Sequence, residues 1–264
     1  VGRKKVKEKV EEQIDISKVL ESINKTNKDM KLHLVDSTKE IPCYKIDNIA
    51  LNYLLSCGGI PNGKIIEISG GESSGKTTLA QVISASIQEQ GKLVVWLDAE
   101  RAYEPSFAKR LGVNIDTLII KEPETGEEAF DILHTLVKLP EIGLIVVDSV
   151  SALIPAEELD GSKKWGLQAN LLSKGLRVLT GLCTNESPAI IFINQLRDKF
   201  GVMFGEKEKS TGGRALPFYA SIRLKTYRMK KIKDPKSPRV LGILTKIKCI
   251  KNKVGYPFRE AMVE

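Results

Sequence analysis

Eight consecutive residues, Gly70-Gly71-Glu72-Ser73-Ser74-Gly75-Lys76-Thr77, match the pattern G-x-x-x-x-G-K-[ST], the spacing of a loop that cradles phosphates. Its glycines let backbone N–H groups close around phosphate oxygens, and a helix opening at Lys76 adds a favourable dipole. Lys76 is then expected to reach the β- and γ-phosphates of a nucleotide, and the Thr77 hydroxyl to ligate Mg2+. A second signal is Leu144-Ile145-Val146-Val147-Asp148-Ser149, an apolar run ending in a carboxylate. Beside a phosphate loop, such an Asp holds Mg2+ directly or through a bound water. Taken alone it is a weak signal, because many strands end at an Asp that starts a turn. A third run, Leu93–Leu97, ends in Asp98-Ala99-Glu100. Ligands of open parallel sheets lie beyond the carboxyl ends of the strands, so Glu100 is expected to face the γ-phosphate and take a proton from the attacking water. The plain alternative is a surface glutamate in a loop. Ile191-Phe192-Ile193-Asn194-Gln195 sets polar side chains at the end of a fourth apolar run. The stretch that follows, Leu196 to Arg214, is charged and glycine-rich without periodicity. A loop of that length inside a compact domain is usually functional or disordered. Its Arg197, Lys199, Gly212, Gly213 and Arg214, interspersed with Phe200, Met203 and Phe204, suit phosphate contacts along a nucleic-acid backbone with bases touched by apolar groups.

These residues need a scaffold of short buried strands alternating with amphipathic helices. The pattern predicts strands at Ile65–Ile68, Leu93–Leu97, Thr117–Ile120, Leu144–Val147 and Ala189–Ile193, and helices at Lys76–Gln90, Gly126–Val137 and Leu167–Leu182. Strand-like runs follow at Ser221–Tyr227 and Val240–Ile250. Continuous apolar strands separated by helices indicate an α/β fold with a mostly parallel, twisted sheet covered on both faces. Ahead of it, Val6, Val10, Ile14, Val19, Leu20 and Ile23 recur at helical spacing over residues 3–24, followed by a polar linker from Asn24 to Lys31. The expected organisation is an N-terminal helix and linker over 1–35 and an ATPase core over 36–264.

Composition narrows the function classes. Of 264 residues, 42% are hydrophobic and 28% charged, with a net charge of +8, values ordinary for a soluble globular chain. Residues 221–264 hold thirteen Lys and Arg against three Asp and Glu. A basic end on a near-neutral body suits a polyanionic partner, though a solvated lysine-rich face would look the same. Four scattered cysteines and two histidines argue against a zinc site, a disulfide framework or histidine-based catalysis. There is no run of about 18 apolar residues to span a membrane and no apolar segment after the charged start. A cytoplasmic protein with no membrane association is expected.

The motif set closely resembles the bacterial RecA recombinases. Gly70–Thr78, Asp98-Ala99-Glu100, Asp148-Ser149-Val150, Phe192-Ile193-Asn194-Gln195, Gly201-Val202-Met203-Phe204-Gly205, Thr211-Gly212-Gly213 and Lys251-Asn252-Lys253 follow that family in order and spacing from about Ile41 to Phe258. The resemblance implies a P-loop NTPase fold of RecA type, ATP and Mg2+ as cofactors, and self-assembly into a helical filament. It also implies single-stranded and homologous duplex DNA as partners, and DNA-stimulated ATP hydrolysis at a protomer interface that drives strand exchange. By the same likeness, Glu72, Ser73, Ser74 and Thr78 belong to the nucleotide site, and Glu104 and Phe107 lie against adenine and ribose. Gln195 senses the γ-phosphate and couples it to the DNA loop, while Lys251 and Lys253 reach the γ-phosphate of a neighbouring protomer. Ser173, Arg177, Arg197, Lys199, Gly212, Gly213 and Arg214 contact DNA, with DNA loops near 157–166 and 196–211. Phe218 lies where the family has an interface aromatic, and the N-terminal helix packs on the adjacent subunit. The chain departs from the usual pattern at Arg101, Phe107, Trp165, Asn170 and Pro217, where the family has histidine, tyrosine, methionine, arginine and lysine. Typical members continue past the position of Glu264 into a C-terminal domain, so a short, truncated or phage-type member is expected. Trp165, in the first loop beside Lys163 and Lys164, is expected to stack on bases or wedge between them, and Trp96, inside an apolar run, to be buried. Two other readings fit the fold: a hexameric motor, which usually supplies an arginine across its interface, and a non-catalytic nucleotide-binding regulator, against which the intact Lys76, Thr77, Glu100 and Asp148 argue.

Overall fold

A computed structural model describes residues 15–26, 40–161, 164–198, 208–210 and 212–264. The chain divides into a unit of residues 1–40 and a unit of residues 41–264. In the first, α1 (Ile16–Thr26) carries Ile16, Val19, Leu20 and Ile23 at helical spacing, with none of its residues buried. The helix runs through Asn24–Thr26, where the sequence suggested a linker. Polarity alone does not end a helix, and Lys25 in the last turn favours its C-terminus. The earlier part of the expected helix lies outside the described residues.

The second unit begins with β1 (Cys43–Tyr44), α2 (Ile49–Leu55) and β2 (Ile60–Pro61). The Asn48 side chain caps α2 by accepting from the Leu51 N–H. Then come β3 (Ile65–Gly70), α3 (Lys76–Gln88), β4 (Leu93–Asp98), α4 (Pro105–Arg110), β5 (Leu118–Lys121), α5 (Gly126–Leu136) and β6 (Ile142–Asp148). A 3-10 turn at Val150–Ala152 and a single helical turn, α6 (Ala156–Leu159), lead to α7 (Leu167–Leu182). The chain continues through β7 (Ala189–Asp198), β8 (Glu208–Ser210), α8 (Ala215–Tyr219), β9 (Ile222–Lys233), β10 (Val240–Asn252) and β11 (Glu260–Val263).

The main sheet has the order β11-β10-β9-β3-β7-β6-β4-β5, with β8 paired to β7. From β9 to β5 all neighbours are parallel, whereas β10, β11 and β8 are added antiparallel. One face presents Ile66, Ile68, Trp96, Leu144, Val146, Ile191 and Ile193 to α2 and α3. The other presents Ile65, Val95, Leu97, Ile145, Val147 and Phe192 to α5, α7 and α8. Each fully buried aliphatic side chain contributes roughly 1.5–3 kcal/mol, but strands apolar on both faces cannot fix their own register by hydrophobic pattern. Buried polar groups supply that information. Glu67 of β3 is fully buried. It accepts from Arg223 Nε of β9 and, at 2.9 Å, from Asn194 Nδ2 of β7. A one-residue slip would leave that carboxylate unpaired, at a cost of about 3–5 kcal/mol.

Two expectations change. The stretch after Ile193 does not become loop at once: β7 continues to Asp198, and Leu196, Arg197 and Asp198 pair with Ser210, Lys209 and Glu208. The start expected for the second DNA loop, Leu196, is therefore strand, because a polar strand that pairs outside the core shows no apolar periodicity. Residues 199–207 and Thr211, including Lys199, Phe200, Met203 and Phe204, lie outside the described residues. The second change is in β9 and β10, which run past the parallel sheet as a two-stranded ribbon. The last β3 partner is Thr226, yet β9 continues to Lys233 opposite Val240. Among the described residues no helix is long and apolar enough to cross a membrane.

Candidate nucleotide and nucleic-acid sites

Parallel register gathers the expected chemistry at one edge of the sheet. Gly70 lies opposite both Gln195 and Thr226, and Asp98 lies opposite Asp148. Between β3 and α3 the loop holds left-handed backbone at Ser73 (φ 53°) and Gly75 (φ 87°), the kind of turn that points successive N–H groups to one side. Ser74 fastens it to the sheet, its Oγ lying 2.8 Å from the Gly71 carbonyl and 2.7 Å from Thr226 Oγ1. Lys76 Nζ donates to the Gly71 carbonyl at 2.8 Å, folding its ammonium over the loop. Burial lowers the Lys76 pKa, opposed by the charges of Asp148, Glu100 and Glu72.

Thr77 Oγ1 donates to Asp148 Oδ2 at 2.9 Å, joining the two residues expected at the metal. Burial pushes the Asp148 carboxyl up to about 6, with Glu100 and Asp98 raising it further and the Thr77 hydrogen bond and Lys76 opposing. Next to it, Glu100 Oε1 accepts from Gln195 Nε2 at 2.9 Å and from Ser149 Oγ. Ser149 Oγ lies 2.6 Å from Ser151 Oγ. Two Glu100 partners that the sequence linked only by family likeness, or not at all, thus meet at one carboxylate oxygen. Thr226, Ser149 and Ser151 have no motif of their own; Ser149 stands inside the Asp148-Ser149-Val150 run but its contact is 49 residues away.

Other expected nucleotide residues sit apart from this cluster. Glu104 is the N-cap of α4, accepting from the Ser106 N–H at 3.1 Å, and hydrogen bonding from the Ser106 side chain first and its backbone second holds the Glu104 carboxyl below the ordinary range. Phe107 is partly exposed, under the Arg110 guanidinium at 5.4 Å. Thr78 follows Thr77 in the first turn of α3. Lys251 Nζ donates to the Pro217 and Phe218 carbonyls at 2.8 and 2.9 Å, capping α8. Burial, followed by the charges of Lys253 and Arg223, lowers its pKa. Lys253 and Phe218 are exposed.

A cleft of about 760 Å³ opens beside α7, lined among others by Lys164, Trp165, Gln168, Gly212 and Gly213. Trp165 is 99% exposed, whereas Trp96 is fully buried. Gly212 and Gly213 both have φ +80°, and a Cβ on Gly212 would fall 2.2 Å from Leu172 Cδ1. A positive φ is a backbone conformation that residues with a Cβ rarely adopt. Ser173 and Arg177 lie four residues apart on the exposed side of α7, and Arg214 is exposed ahead of α8. Arg197 sits in β7 opposite Lys209.

The chain is 47% identical over 227 residues to a protein named RecA from Chloroherpeton thalassium, covering 85% of this chain and 63% of that one. Against the RecA proteins of Chlorobium limicola and Chloroflexus aurantiacus it is 46% identical over 235 residues, 88% of this chain and 67% and 66% of theirs. It therefore spans about two-thirds of these relatives' length. The crystal structure of the RadB recombinase superposes with a TM-score of 0.60 at 24% identity, over 81% of this chain and 92% of that one, a likeness of fold. The model of the RecA N-terminal domain matches residues 14–264, and with these identities the chain belongs to the RecA family.

Proposed function

We propose that this chain is the ATP-hydrolysing core of a recombinase that assembles as a filament on single-stranded DNA and pairs it with homologous duplex. The observation that carries the reading is the convergence of two pairs at the carboxyl ends of the central strands, Thr77 with Asp148 and Glu100 with Gln195, each joined by a hydrogen bond of 2.9 Å, in a chain that also holds a glycine-lined cleft bearing an exposed indole. In this reading the loop N–H groups and Lys76 bind the triphosphate. Glu100 takes the proton of the attacking water, and Gln195 ties that carboxylate to the strand leading into the second DNA loop. Lys251 and Lys253 act on the nucleotide of a neighbouring copy, as an arginine finger does elsewhere.

The residues fit Mg2+. Among the described residues no group of three or more His, Cys, Asp or Glu is arranged to cage a metal. Magnesium needs no such cage, taking one or two protein oxygens together with phosphates and water. Thr77 and Asp148 offer that pair, and a carboxyl raised to about 6 by burial gains most from a cation beside it. When bound, the ion neutralises phosphate charge as the leaving group departs. The test is Glu100→Gln. It should leave nucleotide binding intact and slow hydrolysis on the order of 10²-fold or more; hydrolysis at the wild-type rate would remove Glu100 from the role of base.

A further inference from the structure

Gln168 occupies the first turn of α7, three residues after Trp165, and lines the same cleft. Its side-chain amide has two hydrogens, and both are directed at one short segment. Nε2 donates to the Val150 carbonyl at 3.0 Å and the Leu153 carbonyl at 3.1 Å. Val150 opens the 3-10 turn Val150–Ala152 and Leu153 is its C-cap, and the turn carries Ser151. From there the contacts lead to the Glu100 carboxylate. Ser149 is fully buried and directs its single hydroxyl proton to Glu100 Oε1. At the 2.6 Å Ser149–Ser151 contact Ser149 must therefore accept, and Ser151 donates. The direction is fixed: Ser151 to Ser149 to carboxylate, each bond polarising the next.

We infer that Gln168 is a positioning residue that couples occupancy of the cleft to the Glu100 carboxylate, through the 150–153 segment and the Ser151–Ser149 hydroxyl pair. The inference rests on the proposed roles of the cleft as the single-stranded DNA site and of Glu100 as the base. The N-cap of α7, Gly166 (φ 79°), makes no side-chain cap hydrogen bond, so the Gln168 amide is what ties this turn to the 150–153 segment by side-chain hydrogen bonds among the described residues. A base pressed against Trp165 shifts that turn, and Gln168 carries the shift to the turn holding Ser151. A lone pair of Oε1 engaged by the Ser149 hydroxyl is closed to the attacking water, so relaxing that bond opens Oε1 to it. Gln195 holds the same oxygen from β7. One atom of the base thus reports on α7 and on the strand entering the second DNA loop.

The test uses the full chain in steady-state ATP hydrolysis with and without oligo(dT). Gln168→Glu keeps the size but has no donor hydrogen; Gln168→Met keeps the length and is apolar. Both should lower the stimulation, the ratio of kcat with oligo(dT) to kcat without it, fivefold or more. KM for ATP should stay within twofold, and the ratio is read at saturating oligo(dT), saturation being followed by Trp165 fluorescence. Ser151→Ala should lower the stimulation comparably, and the Gln168→Met, Ser151→Ala double variant should fall no further than the worse single variant, since the two act in series. A stimulation within twofold of wild type in Gln168→Met, or a double-variant loss equal to the product of the single losses, would overturn the coupling. If Gln168→Glu does not fold, the Met and Ser151→Ala variants carry the test. Glu100→Gln in the same assay separates the failures. If it hydrolyses normally, or the wild-type chain does not hydrolyse ATP, the underlying reading falls and the coupling with it. If it is inactive while the Gln168 variants are stimulated normally, the coupling falls alone.

Discussion

Asp148→Asn should make the nucleotide-free protein more stable, and only above mildly acidic pH. Asp148 is 8% exposed and its carboxyl is pushed from 3.8 up to about 6, by burial first and the neighbouring Glu100 and Asp98 next. A group whose pKa is higher in the folded than in the unfolded chain adds stability below the unfolded value and loses it as pH rises through the folded one. The window therefore runs from about pH 3.8 to about pH 6. At about 1.36 kcal/mol per pH unit, the charged carboxylate costs about 3 kcal/mol at neutral pH relative to a neutral group of the same shape. Asparagine is that group, and its side-chain oxygen still accepts the Thr77 hydroxyl. Urea denaturation of the two proteins from pH 4 to 8 should give curves that coincide near pH 4 and separate by about 3 kcal/mol above pH 6.5. For a unit of this size the separation corresponds to about 6–12 °C in melting temperature. The same variant should bind Mg2+–nucleotide more weakly, because the negative charge it loses is the one that attracts the cation. Two parallel curves, offset equally at every pH, would refute the argument, since a difference that does not titrate cannot come from the charge of Asp148.

Other perturbations report on the remaining parts. Adding oligo(dT) with a non-hydrolysable ATP analogue should change Trp165 fluorescence, the signal disappearing in Trp165→Phe and persisting in Trp96→Phe; the opposite pattern would exclude the first loop as the DNA contact. Gly212→Ala should cost on the order of 1–3 kcal/mol, since its left-handed backbone is strained for any other residue and the new Cβ meets Leu172; a variant as stable as wild type in urea and unchanged in DNA affinity would show that the turn tolerates a side chain. Mixing Lys253→Ala with Lys76→Ala protein should restore part of the ATPase activity, because hybrid interfaces contain one intact site; absence of rescue at every ratio would place both lysines within their own protomer's site.

How far the sequence discloses this molecule depends on how locally each feature is encoded. The phosphate loop, the helix after it and the strands ending at Asp98 and Asp148 are contiguous and apolar, and they form within a residue or two of the expected limits. The extension of β7 through Arg197 was hidden because its partner, β8, is three residues long and polar. Helix α2 follows an Asn cap that is plain only once Asn48 is seen accepting from Leu51. The supports of the site are least legible of all. Ser74 meets Thr226 across 152 residues, and Glu67 meets Arg223 across 156. No spacing rule reaches that far, and each partner taken alone is an ordinary strand residue.

The central place of β3 has a consequence for how the protein reaches its native state. The strand that delivers the phosphate loop has no sequential neighbour in the sheet. Its partners are β7 and β9, whose contacts with Glu67 close loops of 127 and 156 residues. The entropy of closing such loops is lost before the contacts repay it, which slows folding. During synthesis, Gly70–Thr77 therefore leaves the ribosome long before the strands that frame it. The loop waits in a chain whose β4, β5 and β6 can already pair with one another. Nucleotide-binding competence should then appear as a late kinetic step. It should follow burial of Trp96 in β4 and coincide with protection of the Ile222–Thr226 amides, an order that pulsed hydrogen exchange during refolding would resolve.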